Sequence, residues 1–276
     1  MLPSFLLSLR EGIEAALIIG IVLGALRKIK RSELSSQVWY GTFSAVGVSL
    51  TMGIFLTMLG LQLEGKAEEI FEGFAMILAA GVLTWMIFWM RRQARHIKDR
   101  LETGVRQAAL QTGKGGLFAL SFLAVLREGI ELALFLTAAV FTTSTRQTVI
   151  GALLGLGAAI ILGWLLFAST IQLNLRRFFQ VTGVLLLLFA AGLVAHSVHE
   201  FNEVGWIPGV VEHVWNTNPI LHEDSTLGLM LKALFGYNGN PSLTEVLSYG
   251  VYIGVIVFAI RRDKEKRLPA AVEAAG

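Results

Sequence analysis

The chain has 276 residues, 54% of them hydrophobic and 16% charged, with a mean hydropathy of +0.65. A soluble domain carries about 25% charge, and the apolar residues here come in runs near the roughly 20 needed to cross ~30 Å of hydrocarbon. That composition excludes an ordinary soluble domain, and the net charge of +3 does not point to nucleic acid, because a membrane protein keeps such a surplus in cytoplasmic loops.

Seven spans are predicted, at about 4–26, 38–61, 70–90, 117–141, 148–171, 179–200 and 244–260. The first begins at Met1-Leu2-Pro3-Ser4, without a basic leader, and Arg10, Glu11 and Glu14 interrupt it. It reads as a retained transmembrane helix and not as a cleaved signal peptide. Residues 91–115, between spans three and four, form a basic and partly helical connection. Residues 201–243 form the longest external loop, whose Leu227 to Leu234 run is too short to span and is expected to lie in the interface.

Basic residues assign the sides. The gaps after spans one, three, five and seven hold eighteen of the 23 Lys and Arg, from Arg27 and Lys28 to Arg261 and Arg262. The opposite side holds only Lys66, Arg146 and Lys232. The positive-inside rule then puts the N-terminus outside and the C-terminus in the cytoplasm.

Span one contains Arg10-Glu11-Gly12-Ile13-Glu14, and span four repeats it as Arg127-Glu128-Gly129-Ile130-Glu131. Three helices make one unit, so spans 1–3 and 4–6 are expected to be inverted repeats about an axis in the membrane plane, with span seven added. Ala79-Ala80-Gly81 in span three recurs as Ala190-Ala191-Gly192 in span six. The expected fold is therefore all-α and integral to the membrane. A single domain covers 1–276, with repeat one at about 1–91, repeat two at about 116–203, the external loop at 201–243, and the seventh helix and basic tail at 244–276.

Each motif puts one cation and two carboxylates at hydrocarbon depth, where a lone charge costs roughly 2.5–3.5 kcal/mol. Six such charges cost about 15–21 kcal/mol unless they neutralise one another or bind a ligand. On a helix, Arg10 shares a face with Glu14, and Arg127 with Glu131; Glu11 and Glu128 point about 100° away. Gly12 and Gly129 let a neighbouring backbone approach closely. Two such helices side by side gather four carboxylates and two guanidiniums, a net of −2, or −3 if Glu72 of Phe71-Glu72-Gly73 joins them. With no cysteine in the chain, a metal site must use oxygen or imidazole, which favours harder cations. The bland alternative is a set of helix–helix ion pairs with no ligand.

These residues resemble the oxidase-dependent iron permeases, which include fungal iron permeases and bacterial ferrous iron permeases. The resemblance runs through Leu9 to Ile18, Phe71-Glu72-Gly73, Leu83 to Arg91, Arg127 to Glu131, His199-Glu200 and Leu234 to Tyr237, the last two being most like the bacterial branch. It departs at Ile13 and Ile130, where Leu is common. The resemblance implies seven spans and iron import across a cytoplasmic (inner) membrane, Fe²⁺ or Fe³⁺, with no enzyme activity. Glu11, Glu14, Glu128, Glu131 and Glu72 are then expected as metal ligands, and Arg10 and Arg127 as charge-balancing and gating groups. No cofactor is expected to be permanently bound; iron is the transported substrate. No soluble domain is fused, so an oxidase or iron-delivery partner is expected as a separate chain outside the membrane. Membrane lipid surrounds the helices, and the glycine faces admit a homo-oligomer. The competing readings are a permease for Mn²⁺ or Pb²⁺ and a membrane di-iron carboxylate oxidase.

Secondary candidates cluster outside. His196 and Glu200 are four apart, as are His199 and Glu203, and either pair can chelate a metal or simply close a helix end. Glu212, His213, His222, Glu223 and Asp224 extend this to an external funnel, against which stands a solvated polar loop. Glu64, Glu68 and Glu69 can attract cations toward Glu72, although Glu68 and Glu69 equally suit a helix N-terminus. Met86 and Met90 read as packing filler.

Overall fold

The computed structural model describes residues 1–93, 97–109, 113–168, 174–211, 213–222 and 225–265. Among the described residues the regular structure is entirely helical: α1 (Leu2–Lys28), α2 (Ser35–Gln62), α3 (Lys66–Gln93), α4 (Ile97–Gln107), α5 (Gly113–Thr142), α6 (Thr145–Ala168), α7 (Leu175–Val204), α8 (Thr226–Phe235) and α9 (Leu243–Glu265). Glu212, Glu223 and Asp224 of the expected funnel, the end of the fifth predicted span and the tail beyond 265 lie outside the described residues.

Helix ends follow their local chemistry. Pro3 sits in the first turn of α1, where its missing N–H costs nothing, and Arg27 and Lys28 complement the partial negative charge at its other end. Asn174 accepts a hydrogen bond from the Arg177 amide at the start of α7, which stops at Gly205 with φ +83°. Ser242 and Glu245 open α9 as a reciprocal capping box: the Glu245 carboxylate accepts the Ser242 amide at 3.0 Å, and the Ser242 hydroxyl accepts the Glu245 amide at 3.3 Å.

Five of the long helices, α2, α3, α6, α7 and α9, are long and apolar enough to cross a membrane. Phe43, Leu50 and Phe55 on α2, Ile160 and Trp164 on α6, and Val251 and Phe258 on α9 are exposed along their faces, as a lipid solvent requires. Helices α1 and α5 differ because each carries three charges within its apolar stretch. At 27 and 30 residues they are as long as the others, and they occupy the middle. Helix α1 packs on α6, α5 and α7, and α5 packs on α2, α1 and α3. Chain neighbours α1 and α2 barely touch; the principal pairs are α1 with α6, α2 with α5, and α3 with α7.

One core lies among α3, α5 and α7, around Leu83, Phe135, Leu186 and Ala190. A second joins Val22 and Leu26 of α1, Val38 of α2, Leu117 of α5 and Val105 of the amphipathic α4, with Lys28 paired to Glu102 at 3.3 Å. The end of helix α8 is docked against α7. Gly236, at φ +67°, lies so close to Gly192 that a Cβ on Gly192 would meet the Gly236 backbone at 2.7 Å. Gly192 is roughly three turns before the C-terminal end of α7. Helix α8 also touches α1 and α5.

Candidate metal site

The two motifs meet where α1 crosses α5. Within each helix the four-residue spacing closes an ion pair: Arg10 Nε donates to Glu14 Oε1 at 3.1 Å, and Arg127 Nε donates to Glu131 Oε1 at 2.9 Å. Between the helices, Glu11, Glu128 and Glu131 bring one carboxylate oxygen each to within 4.8 Å of the others. Their residues are only 1%, 7% and 7% exposed. Both oxygens of Glu11, and Oε2 of Glu128 and of Glu131, are buried without a hydrogen-bond partner. At that spacing each ionised pair repels by about 3–4 kcal/mol at an effective dielectric of 20. Four unsatisfied acceptor oxygens on three carboxylates in one buried place need protons or a cation between them. Glu14 brings no oxygen into this group; it pairs with Arg10 while lying within electrostatic reach of Glu11 and Glu128.

The motif glycines make the approach. A Cβ on Gly12 would strike the Ala159 methyl of α6, and one on Gly129 would strike Ser49 of α2. A larger residue at either position would push α6 or α2 away from the charged seam.

Helix α3 supplies what sequence reasoning missed. Arg10, only 2% exposed at its side chain, donates from Nη2 to the Met90 sulfur at 3.0 Å. The Arg127 guanidinium carbon lies 4.4 Å from the Trp89 ring centre and 5.7 Å from that of Trp85. Met90 is thus part of the site and not packing filler. Each guanidinium pairs with one carboxylate and one soft α3 partner. Residue types in a helical stretch could not reveal this, because it depends on how α3 crosses the motif helices.

Glu72 is not brought to the four motif carboxylates. It stands near the start of α3 in the electrostatic neighbourhood of Glu200 and Glu68. Met90, which touches Arg10, is about 27 Å further along the same helix. The added negative charge that Glu72 was expected to bring belongs to the other end of α3.

The histidine pairs also resolve differently. His196 Nδ1 contacts the Gly192 carbonyl at 3.0 Å, and His199 Nδ1 contacts Glu245 Oε1 at 3.1 Å, so neither ring is held by the Glu four residues ahead of it. Glu245 further accepts from Asn238 Nδ2 at 2.8 Å. Its signal in the sequence was Ser242-Leu243-Thr244-Glu245, a capping-box string. Glu200 and Glu203 lie near the end of α7, with Glu200 within electrostatic reach of Glu203 and of Glu69. Among the described residues, Glu11, Glu128 and Glu131 form the one grouping of three acidic or histidine side chains close enough to share an ion.

Comparison with known proteins gives the family of the whole chain. Residues 1–261 match the iron permease FTR1 family. The ferrous iron permease EfeU of Shigella sonnei (strain Ss046) is 36% identical over 265 residues, covering 94% of this chain and 96% of the relative. That of Escherichia coli O6:K15:H31 is 37% identical over 256 residues, covering 92% of each. That of Yersinia pestis is 36% identical over 256 residues, covering 92% of this chain and 90% of the relative. No solved structure matches the chain. A multi-pass helical membrane protein with whole-length similarity to these permeases, this chain belongs to the iron permease FTR1 family.

Proposed function

We propose that the chain imports ferrous iron across a cytoplasmic inner membrane, with Glu11, Glu14, Glu128 and Glu131 ligating the ion and Arg10 and Arg127 balancing it. One observation carries the reading: three buried carboxylates converge with their free oxygens unpartnered. Helix–helix ion pairs alone would leave no such surplus of acceptors. Carboxylate oxygens suit Fe²⁺, Fe³⁺ and Mn²⁺ alike. With Glu72 at the far end of α3, the two motifs sum to −2, and the named relatives are ferrous iron permeases; both favour the divalent ion. A di-iron oxidase bundle uses Glu-x-x-His motifs, which this grouping does not resemble.

Seven spans follow if α1 and α5 also cross the membrane, their charges gathered at the centre. Inverted repeats are supported by pairwise packing. Gly12 meets Ala159 as Gly129 meets Ser49; Ala16 meets Gly163 as Ala133 meets Gly53; Met1 meets Gly151 as Phe118 meets Gly41. One constant shift takes every α1 position to its α5 counterpart, and another takes α6 to α2. The exposed and basic cytoplasmic assignments keep the N-terminus outside. A separate delivery or oxidase protein would then present iron on the side of Glu72 and Glu200.

The test is uptake of radioactive ferrous iron by cells or vesicles carrying Glu11→Ala at matched surface expression. Loss of uptake to background is expected; transport at the normal rate would remove the central site. Manganese as a competitor separates the metals: weak competition is expected for an iron site, and competition equal to unlabelled iron would make this a general divalent permease.

A further inference from the structure

The four motif carboxylates are equivalent in sequence but not in the structure. Glu131 joins Glu11 and Glu128, with Oε1 on Arg127 and Oε2 buried and free; Glu14, paired to Arg10 and within electrostatic reach of Glu11 and Glu128, brings no oxygen into that group. The surroundings of the arginines differ in the same sense. Arg10 is enclosed, 2% exposed, with Nη2 on Met90, while the Arg127 side chain is 36% exposed over Trp89. Yet the helix contacts beneath both motifs correspond residue for residue, so the difference is one of conformation imposed on two matching scaffolds.

We infer that Glu131 and Glu14 are ligands of two successive states, with Glu11 and Glu128 shared by both. The inference rests on reading the motif carboxylates as the ion site. In an inverted repeat, the opposite-facing state arises when the two halves exchange conformations. Applied to this grouping, the exchange turns Glu11, Glu128 and Glu131 into Glu128, Glu11 and Glu14. Helix α5 runs outward, so Glu131 lies one turn to the outer side of Glu128; α1 runs inward, so Glu14 lies one turn to the inner side of Glu11. An ion received with Glu131 is thus passed to Glu14 without leaving the central pair. Both carboxylates are held at one oxygen by their arginines here, Glu14 by Arg10 and Glu131 by Arg127, and each arginine keeps its carboxylate while the other glutamate holds the ion. No proton, electron or covalent bond is exchanged in the step; one carboxylate–metal contact is broken as another is made.

Two isosteric variants test this in right-side-out vesicles, with radioactive ferrous iron kept reduced by ascorbate. External binding is read on ice, and uptake is read after warming. Glu131→Gln is expected to weaken external binding by at least about tenfold, since even groups behind a metal ligand cost 10–100-fold, and to lose uptake with it. Glu14→Gln is expected to bind iron externally within about threefold of the unaltered protein, yet to take up almost none. Equal loss of binding in both variants would replace the relay with a single four-carboxylate site. Retained binding in both would also overturn it. If both variants bind and transport normally, the central site itself fails, which is a different result. Glu14→Asp and Glu131→Asp, with the charge kept, repeat the comparison should either Gln variant reach the membrane poorly.

Discussion

The two arginines look interchangeable in sequence, and a symmetric pair of ion bridges would make Arg10→Lys and Arg127→Lys equally harmful. Their surroundings argue otherwise. Arg10 is buried and uses two nitrogens at once, Nε on Glu14 and Nη2 on Met90. An ammonium cannot span both partners, and breaking a buried pair costs about 3–5 kcal/mol when one partner is removed outright. Arg127 combines one carboxylate with the Trp89 ring, and Lys can also lie over an indole face, where the contact is worth about 0.5–2 kcal/mol. Arg10→Lys should therefore lower iron uptake more than Arg127→Lys. Uptake rates at matched expression decide it, and equal defects would return the arginines to symmetric roles. The ion pairs were legible in the sequence because a four-residue spacing fixes them locally. Met90 and Trp89 were not, because only the crossing of α3 brings them to the guanidiniums.

At the level of helices, glycine divides into positions that set a distance and positions that merely permit a helix. Gly192 and Gly236 press backbone against backbone and hold the end of α8 beside α7, whereas Gly24 and Gly47 face open space. Gly192→Val should release α8 and destabilise the protein by about 1–3 kcal/mol, the usual cost of overpacking. Gly24→Ala should be neutral or stabilising by up to roughly 1 kcal/mol, because glycine is a poor helix residue. Thermal unfolding in detergent reports both, and a loss of stability from Gly24→Ala would contradict the open space around it. The long apolar helices were legible from run length and composition. Helix α8 was legible as a short apolar run but not as a docked one, because its position comes from a contact between glycines distant in sequence. The start of α9 was written in Ser242 and Glu245, yet the link from Glu245 to His199 depended on the fold.

For the whole molecule, the principal pairs run between the halves: α1 lies on α6, and α2 on α5. Neither half alone can cover its own motif, so the charged seam exists only once both are inserted. Charge sets the expected direction of that insertion. Ser32 lies beside Lys28, Lys30 and Arg31, and basic loops of this kind stay in the cytoplasm; Ser144 follows α5 in a connection with the single cation Arg146. Both serines are exposed, and the chain has no cysteine, so a thiol introduced at either position is the sole reactive group. In intact spheroplasts, a membrane-impermeant maleimide should label Ser144→Cys at once and Ser32→Cys only after permeabilisation. Reversal of that pattern would invert the topology and, with it, the order in which Glu131 and Glu14 meet the ion. Labelling of both in intact spheroplasts would mean that α2, α3 and α5 do not make three crossings between the two loops. The crossing of α5 would fall first, since α2 and α3 are the two of the three long and apolar enough to span without their charges being gathered.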